Sequence, residues 1–267
     1  MLELPDAWVW DSWYFDDGEL FHAFYLKASR ALHDPDARHH RASIGHSVST
    51  DLVEWRELPD ALVHSSGPAF DDMATWTGST VVDAQGRYHL FYTGVDHEYG
   101  DRVQRVGHAV SDDLVAWTRL DLPPVEADPV FYETVGTGGM YTPWRDPWVF
   151  FDETAGAWRM LVTASLPEAV LGTHGCIGTA LSDDLMRWHV LPPATEPAGF
   201  TMLEVPQTLE VDGSFVLVWS MRHIDHGEQS APRADGSFGG CLTDPIPLEL
   251  AERGTLQPRG AAPDGRD

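Results

Sequence analysis

The chain uses one short segment three times. The pattern Ser-x-Asp-Leu-x-x-Trp occupies residues 49–55, 111–117 and 182–188, and each copy follows a glycine, two further residues and an apolar residue. Its tryptophans, Trp55, Trp117 and Trp188, are 62 and 71 residues apart. A repeat of this kind indicates one supersecondary unit copied along the chain. It constrains the fold more than any single residue does.

A second element precedes each copy. It is a turn with glycine followed by an alternating apolar and aromatic run, at residues 18–25, 86–92 and 156–162, with a fourth copy at 213–219. Such runs after tight turns are typical of β-strands. The Asp-Leu segment predicts a turn closed by side-chain hydrogen bonds, with the tryptophan starting the next strand. We therefore predict units of about four antiparallel strands, packed radially as a β-propeller. A long β-sandwich with chance similarity is the alternative.

Composition and charge narrow the class of protein. The 267 residues are 43% hydrophobic with 11 Trp, which is typical of a folded domain. The net charge of −25 argues against nucleic acids and anionic membranes as partners. No apolar leader and no run of about 20 apolar residues is present, so we expect a cytoplasmic protein. We assign residues 1–250 to the propeller and 251–267 to a flexible C-terminal tail.

Cysteine and histidine give little indication of a disulfide framework or a metal centre. Only Cys176 and Cys241 are present, which favours a reducing compartment. The 13 His show no spacing typical of a zinc site, and we expect neither metal nor cofactor. The histidine-rich residues 33–40 and the acidic residues 96–101 are expected to be loops at a pocket rim, where either could shape substrate choice.

Three carboxylates stand apart from the surface charge. Asp11 lies among the five aromatic residues of segment 8–15, Asp146 lies within residues 141–148, and Glu204 lies within residues 200–207. Each precedes the first predicted strand of a unit by a few residues. Carboxylates at the same phase of different blades can converge at one end of the propeller axis. Taken singly, each would instead be a turn residue or part of a buried salt bridge.

Converging carboxylates suit the cleavage of a glycosidic bond. One carboxyl group protonates the leaving oxygen while another acts at the anomeric carbon. An apolar environment would raise the pKa of the acid, and Arg145 is expected to keep the neighbouring Asp146 ionised. The indole rings of Trp10, Trp76 and Trp144 suit the apolar faces of sugars.

Four motifs in this order resemble those of known glycosidases. Val-Trp-Asp-Ser-Trp at 9–13 resembles the nucleophile segment of levansucrases, whereas the usual Asn-Asp-Pro-Asn-Gly of invertases is missing. Trp-Thr-Gly-Ser at 76–79 resembles the Trp-Ser-Gly-Ser motif, and 145–147 match Arg-Asp-Pro. Glu-Val-Pro at 204–206 resembles Glu-Cys-Pro. The chain therefore resembles the five-bladed propeller glycosidases that act on fructosides, glycoside hydrolase families 32 and 68.

The resemblance implies a fold and a role for each site residue. The fold is an all-β, five-bladed β-propeller whose last blade is incomplete or degenerate in the sequence, without a C-terminal β-sandwich. Asp11 is implied to be the nucleophile, Asp146 the transition-state stabiliser and Glu204 the general acid/base. The pocket for the fructosyl unit is implied to be lined by Trp10, Trp76, Ser79, Arg145 and Arg222.

The implied function is a retaining β-fructofuranosidase that acts on sucrose, fructo-oligosaccharides or fructans. Whether fructosyl transfer to a second sugar competes with hydrolysis stays open, as does homo-oligomer formation. One alternative is an inverting, family 43-like arabinofuranosidase or xylosidase. The other is a propeller that binds a small carbohydrate without catalysis.

Overall fold

The structure is a computed structural model that describes residues 2–167, 174–197, 199–211, 214–220, 247–250 and 256–258. These residues are almost entirely β-strands and turns, with short 3-10 helices at Arg30–Leu32, Asp36–Arg41 and Val135–Thr137. No helix in the described part is long and apolar enough to cross a membrane.

Sixteen strands in the described residues form four antiparallel sheets of four strands, each in simple sequence order. Blade 1 contains β1 (Ala7–Asp16), β2 (Phe21–Ser29), β3 (Ser43–Ser49) and β4 (Arg56–Leu62). Blade 2 contains β5 (Ala74–Val82), β6 (Tyr88–Asp96), β7 (Gly100–Ser111) and β8 (Thr118–Arg119). Blade 3 contains β9 (Arg145–Asp152), β10 (Ala157–Ser165), β11 (Gly175–Ser182) and β12 (His189–Leu191). Blade 4 contains β13 (Glu204–Val211), β14 (Ser214–Ser220), β15 (Pro247–Leu250) and β16 (Leu256–Pro258).

The repeat correctly predicted the four-stranded units, but it misplaced the carboxylates within them. The alternating runs form the second strand of each blade, β2, β6, β10 and β14. The segments with Asp11, Asp146 and Glu204 do not precede the first strand; they form it, as β1, β9 and β13. Their aromatic and β-branched residues favour a strand despite the charges. A fifth blade stays a prediction, and three residues of the predicted tail, Leu256–Pro258, pair with β15.

Neighbouring blades are joined through their first strands. The indole N–H of Trp13 in β1 donates to Oγ1 of Thr80 in β5 (3.1 Å). The indole N–H of Trp148 in β9 donates to Oγ1 of Thr208 in β13 (2.9 Å). The side-chain amide of Gln207 in β13 reaches the Ser12 carbonyl in β1 (3.4 Å). The first strands of the first and last described blades therefore meet, as expected for inner strands around one axis.

The Ser-x-Asp-Leu-x-x-Trp repeat is a turn that carries an inter-blade contact. In blade 2, Oδ1 of Asp113 accepts the backbone N–H groups of Val115 (2.9 Å) and Ala116 (2.8 Å). The turn then presents Trp117 edge-on to Phe24 of blade 1, with ring centroids 6.0 Å apart. Trp188 packs in the same way on Phe91, 5.4 Å away. Each of these repeats thus closes its own blade and packs on the blade before it.

Each of the first two blades also contains a hydrogen-bonded row of one aspartate and two histidines. In blade 1, Nε2 of His22 lies 3.1 Å from Asp17, and its Nδ1 lies 2.9 Å from Nε2 of His46. The equivalent residues of blade 2 are Asp83, His89 and His108. Burial lowers the pKa of His46 and of His108 to about 3, so both rings are neutral at pH 7.

The turn geometry predicts that Asp113→Ala lowers the free energy of unfolding by about 1 kcal/mol, because two backbone N–H groups lose their acceptor. The same bonds hold the pKa of Asp113 below its usual value. The stabilisation is therefore present near neutral pH and is lost as pH falls through the lowered pKa. Urea denaturation of the wild type and of Asp113→Ala at pH 7 measures this difference in the free energy of unfolding.

The matched control is Asp112→Ala. The Asp112 side chain is almost fully exposed and lies 3.5 Å from Arg87 in a surface ion pair, which contributes little. We expect the control to unfold almost as the wild type does. Equal losses for the two variants would contradict the capping role of Asp113.

Candidate active site

The inner strands of the four described blades all bulge at the same place. The pairing of β1 skips Asp11, and that of β5 skips Thr77. The ladders of β9 and β13 slip at Asp146 and at Val205 in the same way. Asp11, Asp146 and Val205 have φ of 35°, 58° and 51°. Because a bulge turns side chains out of the regular alternation, equivalent positions of four blades are directed to the same end of the sheets.

The residue before each bulge is also equivalent in the four blades. These positions are occupied by Trp10, Trp76, Arg145 and Glu204. Blades 1 and 2 therefore supply half-buried indoles, and blades 3 and 4 supply opposite charges.

Arg145 connects the charged residues of the site. Its Nη2 lies 2.6 Å from Oε1 of Glu204, and its Nε lies 3.4 Å from Oδ2 of Asp146. Its Nη1 donates to Oε1 of Gln104 in blade 2 (3.0 Å). Arg145 and Asp146 are buried, so protein groups rather than water surround the Arg145 guanidinium. One guanidinium thus orients groups from three blades.

Asp146 is the most enclosed of the three carboxylates. Its Oδ2 accepts the hydroxyl of Thr163 (2.9 Å) and the N–H of Val205 (3.1 Å). Burial raises its pKa, while the charge of Arg145 acts in the opposite direction. Desolvation is the larger of the two effects at this depth, so the net direction of the pKa shift is upward. That Arg145 keeps Asp146 ionised stays a prediction.

Asp11 lies at the opening between the inner strands. Its side chain is reached by solvent, yet protein surrounds it closely, and its Oδ2 accepts the Thr77 hydroxyl at 3.2 Å. Desolvation, together with the negative charge of Asp146, raises the pKa of Asp11 to about 6. The Thr77 bond lowers this pKa, and the charge of Glu204 raises it. The structure therefore brings all three predicted carboxylates into one electrostatically coupled group.

Some residues that were predicted to contact the sugar do not line the pocket. Ser79 is buried, and its Oγ accepts the N–H of Val149, so it joins blades 2 and 3. Trp144 is also fully buried, packed on Tyr132 with ring centroids 4.9 Å apart, and offers no face to a sugar. Arg222 lies outside the described residues.

Sequence analysis missed the polar residues that surround the carboxylates. Thr77 could have been found, because it lies inside the Trp-Thr-Gly-Ser motif. Thr163 and Gln104 belong to no motif and are recognisable only from their hydrogen bonds. In the described part of the chain, no three Asp, Glu, His or Cys side chains are grouped as a metal site.

Comparison with known proteins identifies the family of the chain. The family model described as "Glycosyl hydrolases family 32 N-terminal domain" matches residues 12–240. The chain belongs to glycosyl hydrolase family 32. The match begins one residue after Asp11. The assignment of Asp11 to the candidate active site therefore rests on the geometry described above and not on the family match. Family 32 membership does not favour the arabinofuranosidase alternative.

Two curated relatives are a β-fructofuranosidase and a fructan exohydrolase. The insoluble β-fructofuranosidase isoenzyme CWINV6 of Arabidopsis thaliana is 31% identical over 195 residues, covering 72% of this chain and 33% of that protein. The fructan 6-exohydrolase of Beta vulgaris is 28% identical over 173 residues, covering 64% of this chain and 26% of that protein. The chain spans about a third of the length of the curated relatives it matches.

Solved structures share the fold. The inulosucrase from Halalkalicoccus jeotgali bound to kestose superposes with a TM-score of 0.72 at 24% identity. That match covers 96% of this chain and 68% of the inulosucrase chain. The family 32 β-fructofuranosidase BmSUC1 of Bombyx mori gives a TM-score of 0.68 at 22% identity, covering 97% and 50%.

The crowding of negative charge predicts that Asp11→Asn raises the melting temperature at pH 7. Because the pKa of Asp11 is about 6 in the folded state, against 3.8 as its ordinary value, its ionised form destabilises the fold above pH 6. Asparagine also tolerates the positive φ at this position. The gain should shrink as pH falls from 6 and disappear below about pH 4.

Thermal unfolding followed across this pH range measures the effect. Asp112→Asn is the surface control and should change the melting temperature little at any pH. A loss of stability in Asp11→Asn at pH 7 would contradict the electrostatic account.

Proposed function

We propose that the protein is a glycosidase that cleaves terminal β-fructofuranosyl units from small carbohydrates with retention of configuration. The observation that carries this proposal is the grouping of Asp11 and Asp146, at the bulges of blades 1 and 3, with Glu204, directly before the bulge of blade 4, in a chain of family 32. Retaining cleavage needs a nucleophilic carboxylate and a second carboxyl group that gives and takes a proton.

In the first step, Asp11 attacks the anomeric carbon of the fructosyl unit. A carbon–oxygen bond forms to the carboxylate while the bond to the leaving oxygen breaks, and Glu204 donates the proton that this oxygen takes up. Because the pKa of Asp11 is about 6, most of its carboxyl group is ionised at pH 7. The Thr77 hydroxyl holds one carboxylate oxygen during the attack.

In the second step, Glu204 takes a proton from water, which attacks the anomeric carbon and releases Asp11. Arg145 fixes the orientation of the Glu204 carboxyl group through the 2.6 Å contact. Asp146, held by Thr163 and the Val205 N–H, is proposed to bind sugar hydroxyls as charge develops on the ring. A second sugar in place of water would give fructosyl transfer.

The names of the relatives support a fructoside as substrate. They include β-fructofuranosidases and a fructan 6-exohydrolase, and a structural neighbour is bound to kestose. The half-buried indoles of Trp10 and Trp76 supply apolar surface beside Asp11 for one sugar ring. We therefore propose sucrose, kestose-type oligosaccharides and fructans as the substrate class.

A sugar-release assay tests the proposal. Purified protein is incubated with sucrose, kestose, inulin, levan oligosaccharides and an aryl arabinofuranoside, and free sugars are quantified. We expect fructose from at least one fructoside and no arabinose. Asp11→Asn should lower kcat by roughly a thousandfold or more, because the nucleophile is lost.

Asp112→Asn is the matched control and should retain full activity. Glu204→Gln should lose most activity on sucrose, whose leaving oxygen needs a proton. Release of arabinose, or more than a tenth of wild-type activity in Asp11→Asn, would contradict the proposed function.

A further inference from the structure

The 3-10 turn Asp36–Arg41 lies against the two pocket indoles. The indole N–H of Trp76 donates to the carbonyl oxygen of His39 at 2.7 Å. The His39 ring stands edge-on to Trp10, with ring centroids 5.8 Å apart, and edge-on to Trp76 at 6.4 Å. The turn therefore places one imidazole between the indoles that come directly before the bulges of blades 1 and 2.

This imidazole lies at the rim of the pocket rather than at its floor. His39 is exposed, whereas Arg145 and Asp146 are buried. Trp10, which His39 contacts, is the residue before Asp11. A sugar attacked by Asp11 must lie over Asp11 and the buried Asp146, so the group attached to that sugar must project away from them, towards solvent. His39 borders that exit.

The chemistry of His39 suits a neutral, hydroxyl-rich ligand. Although solvent reaches the ring, the surrounding protein partly desolvates it, and this lowers its pKa. The charge of Arg38 adds to this effect, and the charge of Glu204 acts the other way. The ring is therefore mainly neutral at pH 7, with one nitrogen that donates a hydrogen bond and one that accepts.

We propose that His39 is a specificity-determining residue that binds the leaving-group sugar of the fructoside. The inference rests on the proposed function and deepens it. The bond that anchors the turn to Trp76 uses the backbone carbonyl of residue 39, so the side chain can be changed while this anchor stays in place. Arg38, whose guanidinium lies 5.4 Å from the ring centroid of Trp10, supports the same indole.

The test compares two leaving groups. Sucrose leaves a whole glucose unit with several hydroxyl groups, whereas methyl β-fructofuranoside leaves only methanol, which offers no sugar ring for His39 to bind. His39→Ala should lower kcat/KM for sucrose by about tenfold, the loss expected from one or two hydrogen bonds. It should change kcat/KM for methyl β-fructofuranoside by less than about twofold.

Two further variants separate the explanations. His39→Phe keeps a ring between the indoles but has no nitrogen, and it should show the same selective loss. His40→Ala changes the neighbouring exposed histidine and should leave both substrates unaffected. Melting temperatures of all variants verify that the turn and the fold are retained.

The outcomes distinguish this inference from the proposed function. Where another fructoside of the sugar-release assay is cleaved better than sucrose, it takes the place of sucrose in this comparison. If the wild type releases fructose from none of these fructosides, the proposed function is wrong and the role of His39 falls with it. If the wild type cleaves both, but His39→Ala lowers kcat/KM equally for the two or for neither, only the role of His39 is overturned. A selective loss on sucrose in both His39 variants supports it.

Discussion

The buried cation of Arg145 is the interaction on which the site depends. It joins Asp146 of its own strand, Glu204 of blade 4 and Gln104 of blade 2. A buried guanidinium without carboxylates would be strongly destabilising, and two buried or half-buried carboxylates without a cation would repel each other. Each charge is tolerated because the others are present. The positions of blades 2, 3 and 4 at the pocket are thereby fixed by the same charges that give the site its chemistry.

The bulges explain why these groups meet. Asp11, Asp146 and Val205 adopt left-handed backbone angles, which cost of order 1 kcal/mol or more for residues other than glycine. The packing of the sheet cores and the inter-blade contacts of Trp117 and Trp188 offset this conformational cost. Regular strands would send alternate residues to opposite faces, so three carboxylates would not converge. The repeated turns with tryptophan thus stabilise the blades whose inner strands contain the strained residues Asp11, Asp146 and Val205.

Much of the fold could be predicted from the sequence, because a repeated segment indicates a repeated structural unit. The spacing of Trp55, Trp117 and Trp188 predicted the four-stranded units, and motif order selected the three carboxylates. The direction of individual side chains could not be predicted. Ser79 follows the bulge of β5 by two residues and turns into the blade interface, while Thr77, at the bulge itself, binds Asp11. Such differences depend on where the ladder slips.

The central claim is that Asp11 forms a covalent bond to the sugar, and it can be tested directly. Glu204→Gln is mixed with a fructosyl fluoride, whose leaving group needs no proton, and the digested protein is analysed by mass spectrometry. Because the variant lacks the base for the second step, the fructosyl–enzyme should accumulate. The account predicts the added mass of one fructosyl unit on the tryptic peptide that ends at Lys27, located at Asp11. An adduct at another carboxylate, or fluoride release with inverted product and no adduct, would contradict it.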